Sequence, residues 1–270
     1  MTRPPLTWLY VPGDRPHVVT KALTAGADVV VIDLEDAVAP DRKEYARTAT
    51  ADLLRAPQPV PVHVRVNALD GPWAAADLAA LATLPGVSGL RLPKVTAPEQ
   101  IRRVAVSTPV PLYALLESAL AIEHAHAIAG AHPALRGISL GEADLRADLG
   151  VRADAGLDWP RSRVVVAARA AGLAPPPQSV HPDIRDLDGL ARTCAHGRAL
   201  GFLGRAAIHP RQLPVIERAY LPTAAELEQA ETIIKAAATD QGAQVLPDGR
   251  FIDAAVVAMA RRTLSLARRH

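Results

Sequence analysis

The residues best suited to catalysis are acidic side chains that directly follow short apolar segments. Glu35 and Asp36 follow one such segment, Glu117 follows a second, and Asp144 follows a third. Carboxylates that lie close together repel each other unless they share a proton or a cation. Mg2+ prefers oxygen ligands and is commonly held by one or two carboxylates together with water and substrate. We therefore predict a Mg2+ site with Glu117 and Asp144 as direct ligands. The alternative is a ring of charges on a solvated rim.

The pattern of apolar segments indicates which framework brings these residues together. Segments rich in β-branched residues alternate with Ala-rich helical segments, and two of them, 29–32 and 112–116, are apolar at successive positions. Strands buried on both faces have this pattern, which is typical of a parallel sheet covered by helices. The predicted strands are 7–11, 28–34, 60–66, 89–92, 110–116, 137–140, 178–181 and 206–209. Eight strand–helix pairs predict an α/β fold of the (β/α)8 TIM barrel type.

The carboxyl ends of the strands are where a barrel of this type carries its active site. By this rule Arg65, which ends the third strand, joins the acidic residues at one rim. A doubly wound open sheet is the alternative α/β fold. Its phosphate loop after the first strand is rich in glycine, whereas residues 12–16 read PGDRP. The barrel is therefore favoured.

After the eighth unit the chain continues with two more helical segments, 223–238 and 254–268. Thr223 and Glu226 have the spacing of a capping box at the start of the first. A barrel does not need this tail, which is suited to a lid or an oligomer arm. We predict two domains: a catalytic barrel over residues 1–222 and a C-terminal helical extension or lid over residues 223–270.

Composition and charge exclude several classes of protein. The chain has 30 basic and 28 acidic side chains, and a net charge of +2 is too small to indicate a nucleic-acid-binding surface. Cys194 is the single cysteine, which excludes a disulfide framework and fits a reducing compartment. No apolar run reaches the ~18 residues that a membrane span requires, and the N-terminus lacks the apolar core of a signal peptide. We expect a cytoplasmic protein that binds neither nucleic acids nor membranes.

Short motifs distributed along the chain resemble the family of citrate lyase beta subunits and malyl-CoA lyases, within the HpcH/HpaI aldolase superfamily. In order they are LYVPGDRP at 9–16, ADVVVIDLEDAV at 27–38, VRVN at 64–67, LPK at 92–94, LLES at 115–118, GEADL at 141–145, AIHPRQ at 207–212 and DGRFID at 248–253. Each motif is short, but the ordered set spans nearly the whole chain. The chain is similar to the branch that occurs without the other citrate lyase subunits.

This resemblance implies a Mg2+-dependent barrel, with Mn2+ as a substitute, that makes or breaks a carbon–carbon bond beside a thioester. The implied substrates are carboxylated 3-hydroxyacyl-CoA thioesters of the malyl-, citramalyl-, citryl- or 3-hydroxy-3-methylglutaryl-CoA type. Cleavage yields acetyl-CoA or a homologue and an oxo acid, so coenzyme A is part of the substrate. The resemblance also implies a homo-oligomer, with a trimer favoured.

The motifs assign roles to individual residues by similarity. Glu117 and Asp144 match the metal ligands, and Glu35 and Asp36 match the pair that holds metal-bound waters. Arg65 matches the arginine that contacts a carboxyl or carbonyl oxygen of the substrate. The remaining matches are Tyr10, Arg15 and Lys21, which fall where the lyases contact coenzyme A, and Asp253, which matches a lid aspartate that acts as an acid or base in a neighbouring subunit of malyl-CoA lyases.

The sequence departs from the family pattern at two places. The order of Glu142 and Ala143 is exchanged relative to the Gly-Ala-Glu-Asp-Leu that family members often show, so the hydrogen bonds beside Asp144 are expected to differ. Gln178 stands where the seventh strand often carries an aspartate, so one polar contact at the mouth of the barrel is in question.

Three other functions stay open. The protein could be a malyl-CoA thioesterase, an oxo-acid aldolase that does not use coenzyme A, or a subunit that is inactive alone and acts on a thioester carried by an acyl carrier protein. Individual residues also have simpler interpretations. Arg65 could serve only as an ion-pair partner of Glu35 or Asp36, and Asp253 could only cap the last helix. Lys94 could form a Schiff base, as in another class of aldolases.

Overall fold

The computed structural model describes residues 4–239, 244–245 and 249–267. Its strands are β1 (Thr7–Pro12), β2 (Val29–Asp33), β3 (Val62–Arg65), β4 (Gly89–Leu92), β5 (Leu112–Leu116), β6 (Leu135–Leu140), β7 (Arg205–Ala207), β8 (Gln244–Val245) and β9 (Phe251–Ile252). Its helices are α1 (Pro16–Ala22), α2 (Lys43–Leu54), α3 (Ala74–Leu81), α4 (Pro98–Ala105), α5 (Ala119–Glu123), α6 (Ala125–Ala129), α7 (Glu142–Leu149), α8 (Asp158–Ala170), α9 (Leu187–Leu200), α10 (Leu213–Tyr220), α11 (Ala224–Thr239) and α12 (Ala254–Ala267).

A curled parallel sheet of seven strands forms the centre of the larger unit. The strand order is β6-β5-β4-β3-β2-β1-β7. Strands β1 to β6 are therefore neighbours in chain order, β7 pairs with β1 at the other edge, and each connection crosses over through one or more helices. All five residues of β2 are buried, as the continuous apolar run at 29–32 predicted. This burial on both faces confirms the predicted α/β class with a parallel sheet covered by helices.

The sheet has seven strands where the sequence predicted eight. The predicted strand 178–181 is reduced to a single parallel bridge between Gln178 and Arg205. Three consecutive prolines, at 175–177, directly precede it. Proline has no backbone N–H to give to a ladder, so a longer pairing cannot extend in that direction.

Residues 178 and 179 nevertheless connect the two edge strands of the sheet. On one side, Gln178 N donates to Gly204 O and Ala206 N donates to Gln178 O, both at 3.0 Å. On the other side, Ser179 Oγ donates to Leu140 O at 2.6 Å, at the end of β6. The Ser179 hydroxyl therefore links this segment to β6, whereas backbone hydrogen bonds link neighbouring strands elsewhere in the sheet.

The chain forms two compact units, one of which is Pro5–Ala219 and the other of which begins at Tyr220. The second unit contains α11, α12 and the antiparallel pair β8–β9. Its core is formed by four buried apolar side chains: Ala230, Ile233, Ile252 and Ala260. The predicted capping box is present, because Thr223 N donates to Glu226 Oε2 at 2.7 Å and Glu226 N donates to Thr223 Oγ1 at 3.2 Å. No helix in the described part of the chain is long and apolar enough to cross a membrane.

A buried arginine joins α7 to α8. Arg161 donates from Nε and Nη2 to the two carboxylate oxygens of Glu142, at 2.9 and 2.8 Å. It also contacts Asp154 at 2.8 Å and Asp158 at 3.2 Å. Bidentate pairing of this kind fixes both distance and orientation, so it sets the angle at which α7 leaves the sheet.

Replacing Arg161 by leucine is expected to lower the free energy of unfolding by about 2–4 kcal/mol, because the substitution leaves the partly buried carboxylate of Glu142 without its partner. Urea unfolding followed by circular dichroism measures the change. Arg102→Leu is the control, since Arg102 is exposed and pairs with Glu99 on the surface of α4. The control is expected to change the same quantity by less than about 1 kcal/mol. Equal losses in the two variants would contradict this account of Arg161.

Candidate active site

Glu117 directly follows β5 and is the more buried of the two predicted metal ligands. Its Oε2 accepts a hydrogen bond from the backbone N–H of Lys94 at 3.0 Å. Its Oε1 lies against Gly141, where any Cβ atom would overlap it. Burial raises the pKa of Glu117 to about 7, and the negative charges of Glu35 and Asp144 act in the same direction. The absence of a side chain at Gly141 therefore leaves the space that the Glu117 carboxylate occupies.

Asp144 lies in the first turn of α7, one turn after Gly141. Its carboxylate is less buried than that of Glu117, and Asp144 Oδ2 lies 3.7 Å from Lys94 Nζ. The neighbouring Glu142 faces a different partner, because it pairs with Arg161. The exchanged order of Glu142 and Ala143 thus leaves Asp144 in place and gives Glu142 a structural ion pair.

Arg65 ends β3 and is held on two edges by acidic residues of the preceding strand and loop. Its Nε and Nη2 donate to the two oxygens of Asp33, at 2.8 and 2.6 Å. Arg65 Nη1 lies 3.0 Å from Glu35 Oε2 and 3.8 Å from the carboxylate of Asp36. Burial disfavours the charge on Arg65, but the hydrogen bonds and charge of Asp33 outweigh it and raise the pKa of the guanidinium. The predicted ion pairs with Glu35 and Asp36 are present, and Asp33 provides the strongest contact.

Lys94 follows β4 and connects three of the predicted site residues. Its ammonium contacts Glu35, and Nζ lies 3.4 Å from Asp36 Oδ1 and 3.7 Å from Asp144 Oδ2. Burial acts against its charge, but the hydrogen bond and charge of Glu35 raise the pKa of Lys94 above its ordinary value. A lysine held charged by three carboxylates is a poor nucleophile, because the attacking amine must be neutral. The Schiff-base interpretation is therefore not supported.

Glu35 and Asp36 occupy the turn after β2, and three contacts hold this turn. Asp33 accepts hydrogen bonds from Glu35 N at 2.9 Å and Ala37 N at 3.2 Å. Lys43 Nζ donates to the carbonyl oxygen of Glu35 at 2.6 Å. Burial raises the pKa of Glu35, while the charges of Arg65 and Lys94 oppose the rise.

One cavity of about 1130 Å3 extends from this rim into the interior of the sheet. Glu117, Asp144 and Arg65 line it, which confirms that the strand ends bring these residues to one opening. Arg15 and Lys21 also line it and are exposed to solvent. Their placement suits the contacts with coenzyme A that the resemblance implied.

Tyr10 and Asp253 belong to different units of the chain. Tyr10 lies on β1 and lines the interior of the cavity, where its ring centroid is 5.5 Å from Arg65 Cζ and 5.8 Å from Arg91 Cζ. Asp253 belongs to the C-terminal unit, and its Oδ1 accepts a hydrogen bond from Val256 N at 2.9 Å. This is the contact of a helix cap at the start of α12.

Sequence reasoning assigned no role in the site to Asp33 and Lys43, and considered Lys94 only for a Schiff base. The signal for Asp33 was its position at the end of a buried strand, two residues before Glu35. Lys94 ends the Leu-Pro-Lys motif, and Lys43 follows the Asp-Leu-Glu-Asp motif. These motifs do not predict the contacts of the two lysines, because the contacts depend on the path of the backbone between distant segments.

The residues at the rim fit a Mg2+ ion. The pKa of Glu117 is raised by burial and by neighbouring carboxylates, so a cation beside it would be stabilised there. Within the described ranges no three His, Cys, Asp or Glu side chains form a group able to hold a metal by themselves. A site with two protein carboxylates, completed by water and substrate oxygens, is one that Mg2+ commonly occupies.

Comparisons with known proteins agree with this geometry. A family model described as HpcH/HpaI aldolase/citrate lyase matches residues 6–210, and one described as C-C bond lyase of the TIM-barrel fold matches residues 167–264. A (3S)-malyl-CoA thioesterase of Cereibacter sphaeroides is 37% identical over 96% of this chain and 93% of its own. Citrate lyase subunit beta of Escherichia coli is 33% identical over 98% of this chain and 94% of its own.

A solved structure is similar over nearly the whole chain. It is protein CitE of Mycobacterium tuberculosis in complex with magnesium, acetoacetate and coenzyme A, and it is 35% identical with a TM-score of 0.84. The match covers 97% of this chain and 98% of that one. On the family match over residues 6–210 and these relatives above 30% identity, the chain belongs to the HpcH/HpaI aldolase/citrate lyase family.

Proposed function

We propose that this protein is a Mg2+-dependent lyase that cleaves a carboxylated 3-hydroxyacyl-CoA into acetyl-CoA, or a homologue, and an oxo acid, or catalyses the reverse reaction. The supporting observation is the arrangement at the rim, where Arg65 and the carboxylates of Glu117 and Asp144 line one opening. Cleavage next to a thioester requires that an oxo acid be held and that an enolate be stabilised. A fixed guanidinium beside a two-carboxylate metal site meets both needs.

Glu117 and Asp144 would hold the metal ion, and Glu35 and Asp36 would hold the waters that complete its shell. Bound there, Mg2+ supplies positive charge that polarises the substrate oxygens and stabilises negative charge formed on them. Lys94 positions both parts, because its backbone N–H orients Glu117 and its ammonium contacts Glu35.

Arg65 would bind the carboxyl or carbonyl oxygen of the oxo-acid fragment. A guanidinium has about five N–H donors, and Asp33 takes two of them. Arg65 Nη1 lies 3.0 Å from Glu35 Oε2, and the residue lines the cavity, where its remaining N–H groups would donate to the substrate. Because Asp33 and Glu35 fix the plane of the guanidinium, little conformational freedom is lost when the substrate binds.

The coenzyme A moiety would lie along the exposed side of the rim. Arg15 and Lys21 carry positive charge there, and phosphate groups bind readily to exposed Arg and Lys side chains. The related CitE structure contains coenzyme A together with magnesium.

Asp253 would act as the acid or base, in a homo-oligomer with a trimer favoured. Its Oδ1 caps α12, and proton transfer would use the other carboxylate oxygen, Oδ2. Removal of the hydroxyl proton during cleavage needs a positioned base of this type. This assignment rests on the family resemblance and requires that the C-terminal unit of one subunit serve the site of another.

Thioester hydrolysis is the second candidate, because four curated relatives at 35–37% identity are named (3S)-malyl-CoA thioesterase. The same rim would serve it, since a metal and Arg65 can hold the carboxylated acyl group while water attacks the thioester carbon. The two reactions differ in the bond that breaks and therefore in their products.

Incubation with malyl-, citramalyl-, citryl- and 3-hydroxy-3-methylglutaryl-CoA, in both configurations and with Mg2+ or EDTA, is expected to yield an acyl-CoA and an oxo acid only with Mg2+. Mass spectrometry identifies the products. Free coenzyme A with an intact hydroxy acid would indicate the thioesterase. No turnover in the presence of Mg2+ would reject both and favour the carrier-protein-dependent subunit or the aldolase that does not use coenzyme A.

Glu117→Gln is expected to weaken Mg2+ binding at least about tenfold and to lower kcat/KM by at least about a hundredfold, since the amide removes the charge but keeps the shape. Calorimetric titration with Mg2+ and the product assay measure the two effects. Glu123→Gln is the matched control, because Glu123 is exposed on α5. Unchanged Mg2+ affinity in Glu117→Gln would remove Glu117 from the metal site.

Mg2+ affinity is expected to fall as the pH is lowered through 7. Burial raises the pKa of Glu117 to about 7, so in the metal-free protein this carboxyl group is mostly protonated at pH 6 and mostly ionised at pH 8. A metal must displace that proton, and the apparent affinity should therefore be about tenfold lower at pH 6 than at pH 8. Calorimetry at both values tests this. Equal affinities would show that Glu117 is ionised throughout.

A further inference from the structure

A second arginine, Arg91, lies on β4 beside Arg65, and its side chain extends among aromatic rings in the interior of the sheet. It is only 3% exposed. Its Cζ atom is 5.9 Å from the ring centroid of Trp8, 5.8 Å from that of Tyr10 and 5.6 Å from that of Tyr113. Arg91 pairs with Arg65 in the register of β3 and β4, so the two backbones lie at the same level of the sheet.

The charge of Arg91 has no negative partner among the described residues. Its hydrogen bond from Nη1 goes to the neutral hydroxyl of Tyr10 at 3.3 Å, and its buried Nε has no partner. A buried charge is strongly disfavoured unless it is paired and hydrogen-bonded. Aromatic rings stabilise a cation, but the distances here approach the ~6 Å limit of that interaction. The positive charge of Arg91 is therefore not balanced by a carboxylate among the described residues.

Arg91 lines the cavity that opens at the rim, together with Ser139. Its charge acts on a neighbouring group: burial and then Arg91 lower the pKa of His63 well below its ordinary value. Arg91 thus brings positive charge to the interior of the cavity, whereas the rim is lined by carboxylates.

We propose that the interior of this cavity is a second anion subsite, in which Arg91 binds a carboxylate. A planar carboxylate matches the edge of a guanidinium, and its flat shape suits a space walled by aromatic rings. The carboxylate comes either from a free organic acid or from the far end of the acyl group. The second source rests on the proposed function and makes the oxo-acid fragment a dicarboxylate.

The subsite is tested on metal-free protein, because binding there requires neither Mg2+ nor turnover. Calorimetric titration with sodium acetate and sodium malonate in EDTA, at constant ionic strength maintained with sodium chloride, is expected to show binding. Arg91→Met should weaken it at least about tenfold, since methionine fills the space between the rings but carries no charge. Arg91→Lys retains a charge without the planar edge and should give an intermediate affinity. It also preserves the test if Arg91→Met does not fold.

Arg102→Met, which removes an exposed charge from α4, is the control and should bind as the unaltered protein does. Equal affinity of Arg91→Met and the unaltered protein for both acids would overturn the proposal. So would the absence of carboxylate binding by the unaltered protein against a chloride background, because that would reject selectivity for carboxylates.

The source of the carboxylate is decided by kinetics. If it belongs to the substrate, Arg91→Met should raise KM for citryl-CoA, whose oxo-acid product has two carboxylates, and leave KM for malyl-CoA within about twofold. If it is a free acid, the two KM values should change together. Absence of turnover with either substrate would count against the proposed function, while the metal-free titration would still report on the subsite.

Discussion

Repulsion among carboxylates at one end of the sheet is the constraint on which the site depends. Glu35, Asp36, Glu117 and Asp144 approach one another because parallel strands end at the same edge. At an effective dielectric constant of about 20, two such charges ~4 Å apart repel by about 4 kcal/mol. Cations must therefore accompany them. Burial is the largest cause of the raised pKa of Glu117, and the charges of Glu35 and Asp144 add to it.

Lys94 offsets much of that repulsion through an unusual backbone conformation. Its φ of 54° is positive, and among the described residues it is the only non-glycine residue with a positive φ. That conformation costs roughly 1–2 kcal/mol in an L-residue. It turns the N–H of Lys94 toward Glu117 while the side chain reaches Glu35, so one residue contacts two parts of the rim. Here local backbone strain is compensated by the charge contacts that it makes accessible.

The position of the acidic residues could be predicted from sequence because it depends on local pattern alone. A continuous apolar run followed by Glu or Asp identifies a buried strand and its carboxyl end, and the rim follows from parallel topology. Lys94 could not be placed in this way, because its role depends on a backbone angle and on partners more than 50 residues away. The strand predicted at 178–181 is wrong for a similar reason. The pattern of residue types does not show that the Ser179 hydroxyl makes a hydrogen bond to Leu140 O in place of backbone pairing with β6.

The two ends of the cavity place opposite demands on a ligand. At the rim, carboxylates with an incompletely compensated charge favour a cation. In the interior, Arg91 lacks a negative partner within the described residues and favours an anion. A substrate held only by a metal at the rim would leave the positive charge in the interior without a partner. An acyl group with one carboxylate at the metal and another further inside would meet both requirements. The arrangement of charge along the cavity would then select for the length and charge of the acyl chain as well as for its reactive end.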